Sequence, residues 1–185
     1  VGFKGEFSAS SSFNVSITRD KLDNQYFFVN DISSLLHNRF ALVYDDVLLF
    51  KLSGEFSYLI RDKFKFMLLG DLYNYTTDRE DKPWHMPNYN ITFSGSYNLK
   101  EKIIVKLDIF ALGSQWARMY EPDGKTVKPV KLDGIIDCNL GLEYRYTKKL
   151  SAFIQLNNLT AQQYHRWNYY PMQRFNVLGG LTYIF

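Results

Sequence analysis

The sequence predicts an all-β protein whose strands form the antiparallel wall of a transmembrane barrel. Three observations predict it. Polar and apolar residues alternate along many segments, short and long connections alternate between those segments, and aromatic residues make up 17% of the chain. A period of two is typical of a strand with one apolar and one polar face. In a membrane barrel the apolar face contacts lipid and the polar face lines the lumen.

The alternation is clearest in two segments. From Tyr89 to Leu99 the odd positions are apolar or Gly, and the even positions are Asn, Thr or Ser. From Ile136 to Tyr146 the even positions are apolar, and the odd ones are Asp, Asn, Gly, Glu and Arg. The same pattern elsewhere predicts about nine strands in all. One run, Phe40 to Ile60, is roughly twice the ~10 residues that a tilted strand needs to cross a bilayer, so we expect part of it to project from the membrane.

Composition excludes several classes of protein. The 185 residues suffice for one domain. A net charge of +3, with no block of five Lys or Arg, argues against nucleic-acid binding. Cys138 is the single cysteine, so no internal disulfide can form. No uninterrupted apolar run is long enough to predict a transmembrane helix. The mean hydropathy of -0.26 still fits a barrel, because alternation hides the lipid face.

The connections between the predicted strands fall into two classes. Short polar ones lie near residues 10–12, 61–63, 100–102 and 147–149. Long ones cover roughly residues 31–38, 77–87, 120–132 and 160–172. Outer-membrane barrels have short periplasmic turns and long extracellular loops, which is this pattern. A β-sandwich, the soluble alternative, has no reason to sort its connections by length.

The last segment, Phe175 to Phe185, also has a period of two and ends on an aromatic residue. A free apolar edge strand invites aggregation, whereas a closed barrel pairs its last strand with its first. If Phe185 lies on the periplasmic side, counting back through about nine strands places Val1 outside the cell, where a bacterial barrel does not begin. We therefore expect residues 1–185 to be one outer-membrane barrel segment, with N-terminal strands and any plug domain absent.

Several segments resemble a known family. The C-terminal part of the chain resembles the C-terminal end of TonB-dependent outer-membrane receptors. The segments that carry this resemblance are residues 137–146, Leu150 to Thr160 with its Asn157-Asn158-Leu159 element, Tyr164 and the closing strand. Residues 26–31 and 43–46 resemble versions common in Bacteroides-like bacteria. The resemblance implies a receptor for nutrient uptake in the Gram-negative outer membrane. It also implies, as partners, a plug domain, the TonB energy-coupling system and the barrel-insertion machinery. The plug and the energy-coupling box lie N-terminal to the barrel in that family, and neither is present in this sequence.

Two other classes of function stay open at this point. One is a passive porin, or a barrel serving as a structural subunit of a surface assembly. The other is a soluble β-sandwich that binds a ligand. An enzyme is not expected, because the sequence contains no nucleophile elbow, phosphate loop or dinucleotide fingerprint. No cofactor is implied.

The histidines and paired acids do not form a metal motif. His37, His85 and His165 stand singly in predicted loops, without Cys or carboxylates at ligand spacing, so we interpret them as solvated loop residues. Asp45-Asp46 and the acids of residues 78–81 are likewise interpreted as solvated loop carboxylates rather than cation sites.

Aromatic residues in the long loops are the candidate ligand contacts. We predict that Trp84, Trp167, Tyr169 and Tyr170 contact a ligand arriving from outside the cell, because aromatic planes stack on rings and sugars. The alternative is an outer aromatic girdle, in which Trp and Tyr bridge lipid and water. Trp84 and Trp167 lie furthest from the strand centres.

Two further predictions concern the wall itself. Charged residues of both signs fall in the inward rows, where they would line a solvated lumen or contact a plug: Lys51, Glu55, Lys65, Asp71, Lys106, Asp108, Asp137, Glu143 and Arg145. In the last strand, Gly179, Tyr183 and Phe185 are predicted to be recognised by the barrel-insertion machinery, since an extended segment can add to an exposed sheet edge. The alternative is that these three residues only face lipid.

Overall fold

The computed structural model describes residues 1–31, 33, 39–61, 63–121 and 126–185, and within them the regular structure is entirely β. In this described part of the chain, no helix is long and apolar enough to cross a membrane. The thirteen strands are β1 (Gly2–Ser8), β2 (Ser11–Asn30), β3 (Phe40–Ile60), β4 (Phe64–Thr77), β5 (Tyr89–Leu99), β6 (Ile103–Leu112), β7 (Gln115–Tyr120), β8 (Val127–Leu132), β9 (Ile135–Arg145), β10 (Leu150–Asn157), β11 (His165–Trp167), β12 (Tyr170–Pro171) and β13 (Asn176–Tyr183).

Nine strands form one antiparallel sheet in the order β1-β2-β3-β4-β5-β6-β9-β10-β13, with β1 and β13 at its edges. The predicted wall of about nine strands is therefore confirmed. The prediction was wrong in one respect, because two connections that were read as plain loops contain the hairpins β7–β8 and β11–β12. Strands of two to six residues offer too few alternating positions to reveal a period.

The register sorts side chains onto two faces, as predicted. Phe93 pairs with Leu68 on one side and with Ile109 on the other, so apolar residues form continuous rows across the outer face. One position along, Ser94 pairs with Asp108 and donates a hydrogen bond to it at 2.7 Å. Lys51 and Asp71, also on this inner face, form an ion pair of 3.0 Å. The faces are apolar outside and polar inside, as in a membrane barrel.

The two ends of the sheet differ. The short connections all lie at one end, here called the turn end, and the long ones lie at the other, the loop end. β2 and β3 run beyond the other strands at the loop end: β4 stops pairing with β3 at Val47, but β3 continues to Phe40. At ~3.3 Å per residue this extension is roughly 20 Å long. On the outer face of β2, apolar Val15 and Ile17 give way to Arg19 at the level of Phe50. The extension therefore lies beyond the apolar belt.

A candidate ligand-contacting lobe at the loop end

The extension of β2 and β3 carries a small folded unit, here called the loop-end lobe. It comprises residues 22–30 and 40–49, the connection 78–88, and the hairpins β7–β8 and β11–β12. Its core contains Phe27, Val29, Val47 and Trp84, each no more than 3% exposed. The lobe has a hydrophobic core of its own, separate from the lipid-facing surface of the wall.

A β-bulge puts these core residues on the correct face. The register between β2 and β3 shifts between Leu22 and Gln25, and Asn24 takes a left-handed conformation with φ 54°. Before the bulge, the even positions of β2 point inward; after it, the odd ones do, so Phe27 and Val29 face the lobe. An inserted residue is what changes the facing of a strand.

Asp45 attaches the connection 78–88 to β3. Its side chain is 0% exposed and accepts hydrogen bonds from the backbone N–H groups of Asp46, Arg79 and Glu80 at 2.8–2.9 Å. The guanidinium Nε of Arg79 lies 3.2 Å from the same carboxylate. Burial acts to raise the pKa of Asp45. The N–H groups of Glu80 and Arg79 outweigh it, so the pKa falls below 3.8.

Glu80 in turn organises the far side of the lobe. It accepts the indole N–H of Trp84 at 2.7 Å and two hydrogen bonds from Arg118 at 3.0 and 3.1 Å. Arg118 and Glu80 are 17% and 20% exposed, and Arg118 also lies over the ring of Tyr120. Strand β7 is thereby joined to the connection 78–88.

His85 and Asn168 join the last hairpin to the rest of the lobe. The ring of His85, 6% exposed, donates from Nδ1 to the Phe28 carbonyl at 2.8 Å, and its Nε2 accepts the backbone N–H of Asn168 at 3.3 Å. These partners require a neutral imidazole. Burial lowers the pKa of His85 below 6.5, against an opposing contribution from the carbonyl. The Asn168 amide also donates to Asn30 and Met119.

The four predicted ligand aromatics occupy different environments. Trp84 is 1% exposed and belongs to the core of the lobe. Trp167 is partly exposed and packs edge-on against Phe28 at 5.3 Å. Tyr169 and Tyr170 are 49% and 46% exposed on the last hairpin. The structure thus brings Trp167, Tyr169 and Tyr170 together at the surface and places Trp84 apart from them, in the interior.

A cleft beside β4 supplies candidate contacts that the sequence had not indicated. It has a volume of about 430 Å³ and lies where β4 extends past its last pair with β5. Tyr75, Asp81 and Trp116 are among its lining residues, and the Lys82 ammonium lies 5.2 Å above the Trp116 ring. The volume is within the usual range for a small-molecule site. Tyr73, Tyr75, Asp81 and Lys82 lie close together in the sequence, and this spacing could have indicated that they contribute to one site.

Residues that carried the family resemblance have a structural role. Asn158, 2% exposed with φ 51°, donates through its amide to the carbonyls of Gln162 and Gln173 at 3.0 and 3.1 Å. Tyr164 donates its hydroxyl to Asp137 at 2.7 Å. Together they shape the connection between β10 and β13.

Three interpretations of single residues need correction. Glu80 is 20% exposed and paired with Arg118, so it is not a solvated loop carboxylate. His85 is buried and hydrogen-bonded, so it is not a solvated loop residue; His165 is exposed, as predicted, and His37 lies outside the described residues. Asp45 lies within a strand and is fully buried, so it is not a solvated loop carboxylate either. The burial of Asp45 could have been predicted from its neighbours on the inner face of the strand, because the next inward residues, Val47 and Leu49, are apolar.

Of the predicted assembly residues, Gly179 and Tyr183 lie on the outer face of β13, and Phe185 follows the end of that strand. Gly179 pairs with Ile154 and Tyr183 with Leu150, both outward-facing residues of β10. Phe185 is fully exposed and its ring meets that of Tyr183 edge-on at 5.1 Å. This placement fits both a recognition element and a lipid-facing wall.

Comparison with known proteins gives matches at the level of structure. No family model matches the chain, and no curated protein matches it in sequence. The pyoverdine outer-membrane receptor FpvA of Pseudomonas aeruginosa superposes with a TM-score of 0.77 at 16% identity, over 100% of this chain and 29% of that one. The ferric-catecholate import receptor Fiu of E. coli gives 0.72 at 15% identity, over 99% and 27%. The FrpB iron transporter of Neisseria meningitidis gives 0.70 at 12%, over 98% and 30%.

This chain therefore has the fold of part of the barrel wall of TonB-dependent outer-membrane receptors, and the predicted fold class is confirmed. It spans less than a third of the length of each of these three proteins. These three proteins are receptors or a transporter.

Proposed function

We propose that the chain is part of an outer-membrane receptor that takes up a nutrient ligand in a TonB-dependent manner. The wall supports this through its likeness to receptor barrels over almost its full length. The observation that carries the proposal is the loop-end lobe, in which the connection 78–88 and the hairpin β7–β8 pack against β2 and β3 around a shared core. Together with the end of β4, the connections 78–88 and 113–134 border a cleft of about 430 Å³. In this proposal a plug domain and the coupling to TonB come from sequence outside residues 1–185.

The lobe offers two surfaces for a ligand. The first is the exposed group of Trp167, Tyr169 and Tyr170 on the last hairpin. The second is the cleft beside β4, which combines the Trp116 ring with Asp81 and Lys82. Aromatic faces with a few polar groups are the usual composition of small-molecule sites.

Uptake by cells that carry the full-length gene tests the proposal. Ferric pyoverdine and a ferric catecholate, labelled with radioactive iron, are suitable first probes, because the structural neighbours include receptors for such chelates. We expect gene-dependent accumulation that a protonophore abolishes. The purified full-length protein should also carry no steady current in a planar bilayer. A stable open-channel current would contradict the proposal and establish a porin.

Variants of one loop make the site test specific. Lys82→Ala and Asp81→Ala remove side chains that line the cleft, and we expect each to lower uptake about tenfold at limiting ligand, equivalent to about 1.4 kcal/mol. Asp78→Ala is the matched control, because Asp78 is an exposed acid of the same connection that does not line the cleft. Equal losses in all three variants would mean that the cleft is not the site.

A further inference from the structure

The outer face of the β2–β3 extension carries an exposed aromatic surface. Tyr26 pairs with Tyr44 and Phe28 with Leu42, so these four side chains lie side by side on the face that continues the outer wall. They are 37–53% exposed, and the rings of Tyr26 and Phe28 meet edge-on at 5.8 Å. The surface lies beyond the apolar belt, so contact with acyl chains does not account for it. A cluster of exposed aromatic residues of this kind indicates a binding surface.

Two cations lie between this aromatic surface and the apolar belt. Arg19 pairs with Phe50 and Lys21 with Leu48, so both point to the same outer face as the aromatic residues. At strand spacing their Cα atoms are about 7 Å apart, and two long side chains can reach one anion over that distance. Arg19 is exposed, and it forms no ion pair within the part of the chain that the structure describes. Long connections face the outside of the cell in outer-membrane barrels, so these cations lie at the level of the outer lipid headgroups.

The two acids near these cations leave them available to a ligand. Asp23 lies 3.3 Å from Lys21, but the two side chains are 67% and 73% exposed, and such a surface pair contributes little to stability. The Asp46 carboxylate accepts the backbone N–H of Asn24 at 2.9 Å, which holds it at the bulge. A phosphate, which carries more charge than a carboxylate and has three acceptor oxygens, can therefore displace Asp23 from Lys21.

The order of side chains along this face matches the order of groups in one kind of lipid. From the wall outward come apolar residues, then the two cations, then the tyrosines. The glycolipid of a Gram-negative outer leaflet has acyl chains, then phosphates, then sugars. Arginine binds phosphate through two parallel hydrogen bonds, and a tyrosine ring offers a sugar both an apolar face and a hydroxyl. A protein partner on the aromatic surface would leave the cations beside the belt unexplained.

We propose that the outer face of the β2–β3 extension binds a phosphorylated glycolipid of the outer leaflet. The phosphate lies against Arg19 and Lys21, and the sugars lie on Tyr26 and Tyr44. The site faces away from the lumen and from the cleft beside β4, so it is separate from the proposed uptake of a ligand. A bound glycolipid would also brace the two strands that carry the loop-end lobe.

Native mass spectrometry of the full-length protein tests this inference. The protein is delipidated in a mild detergent and titrated with purified short-core lipopolysaccharide, and we expect a glycolipid to remain bound. At the concentration that half-saturates the wild type, occupancy should fall about fivefold in Arg19→Glu/Lys21→Glu and about threefold in Tyr26→Ser/Tyr44→Ser. Arg19→Lys should retain most of it. Lys100→Glu/Lys102→Glu, the same charge change at two exposed positions of the turn end, is the control and should bind like the wild type.

Two further lipids identify the group that is recognised. Dephosphorylated lipopolysaccharide should bind the wild type as weakly as the intact glycolipid binds the charge-reversal variant. Phosphatidylglycerol, which has a phosphate but no oligosaccharide, should bind weakly, and the tyrosine variant should bind it as the wild type does.

Three results would overturn the inference: full glycolipid occupancy in the charge-reversal variant, an equal loss in the turn-end control, or phosphatidylglycerol binding as tight as that of lipopolysaccharide. A second protein chain that is lost from Tyr26→Ser/Tyr44→Ser, with glycolipid occupancy unchanged, would assign the surface to a protein partner instead. Heat-dependent gel mobility verifies folding, and Arg19→Gln/Lys21→Gln replaces the glutamate variant if that one fails to fold. Because the site lies outside the cleft, each of these results leaves the uptake experiment to be judged separately.

Discussion

Asn168 donates its backbone N–H to Nε2 of His85 at 3.3 Å, a contact between residues 83 positions apart in the sequence. It joins the last hairpin, which carries Trp167, Tyr169 and Tyr170, to the connection between β4 and β5. The contact needs an unprotonated Nε2, because the opposite nitrogen already donates to the Phe28 carbonyl. Protonation of the buried imidazole would therefore remove one of the contacts that hold the exposed aromatics in place, beside those of the Asn168 side chain.

Acid should loosen the last hairpin. The pKa of His85 in the folded state is lowered below 6.5. As the pH falls, the unfolded chain therefore takes up the proton before the folded one does. The contribution of neutral His85 to stability is complete above pH 6.5 and is lost as the pH falls through the folded-state pKa. We expect a loss of about 1–2 kcal/mol once the ring is charged, since one hydrogen bond is broken. Hydrogen exchange of residues 165–171 at pH 7.5 and pH 5 measures it. His85→Gln, which leaves exposed His165 in place, should remove this pH dependence; an unchanged dependence would assign it to another group.

Replacing Asp45 should detach the connection 78–88 from β3. Asp45→Asn turns an acceptor oxygen into an NH₂ group that faces buried N–H donors, and we expect a loss of about 3 kcal/mol from the lobe. Trypsin cleavage after Arg79 should accelerate accordingly. The neighbouring Asp46→Asn is the control, because an amide oxygen can still accept the N–H of Asn24. Equal cleavage rates in the two variants would contradict the role assigned to Asp45.

The four candidate ligand aromatics should separate into two groups. Trp84→Ala removes a buried indole and its bond to Glu80, so we expect about 3–5 kcal/mol of destabilisation. Tyr169→Ala alters an exposed ring and should change stability by less than about 0.5 kcal/mol, while lowering uptake if the last hairpin contacts the ligand. Thermal unfolding and probe uptake, measured on both variants, distinguish the two roles. A Tyr169→Ala protein with wild-type uptake would exclude that side chain as a contact.

The last strand allows recognition and wall roles to be separated. If Tyr183 and Phe185 are read by the insertion machinery, Phe185→Ala should slow assembly several-fold and leave protease-sensitive protein in the periplasm. Ile184→Ala is the control, because Ile184 is also exposed but lies one position out of phase with the outer row. Pulse-chase labelling with protease treatment measures the rate. Normal assembly with only a lower unfolding temperature would leave these residues as lipid-facing wall.

The wall of the barrel was predictable from sequence, because a period of two directly reports which face of a strand is apolar. Tyr89 to Leu99 and Phe40 to Ile60 became strands with the predicted bounds. The inward charges, such as Lys51 and Asp71, lie on the predicted face because pairing in register preserves the alternation.

The loop-end lobe was decided by tertiary structure. A one-residue bulge after Leu22 moves the side chains of Phe27 and Val29 to the other face of the sheet. The alternation in the surrounding strand does not predict this bulge. Asp45 and His85 are buried only because Arg79, Phe28 and Asn168 are brought to them from distant parts of the chain. Alternation in the sequence predicts which of the two faces of a strand each side chain lies on, because that depends only on neighbouring residues. The hydrogen-bond partner of a buried polar group depends instead on which distant segments pack together.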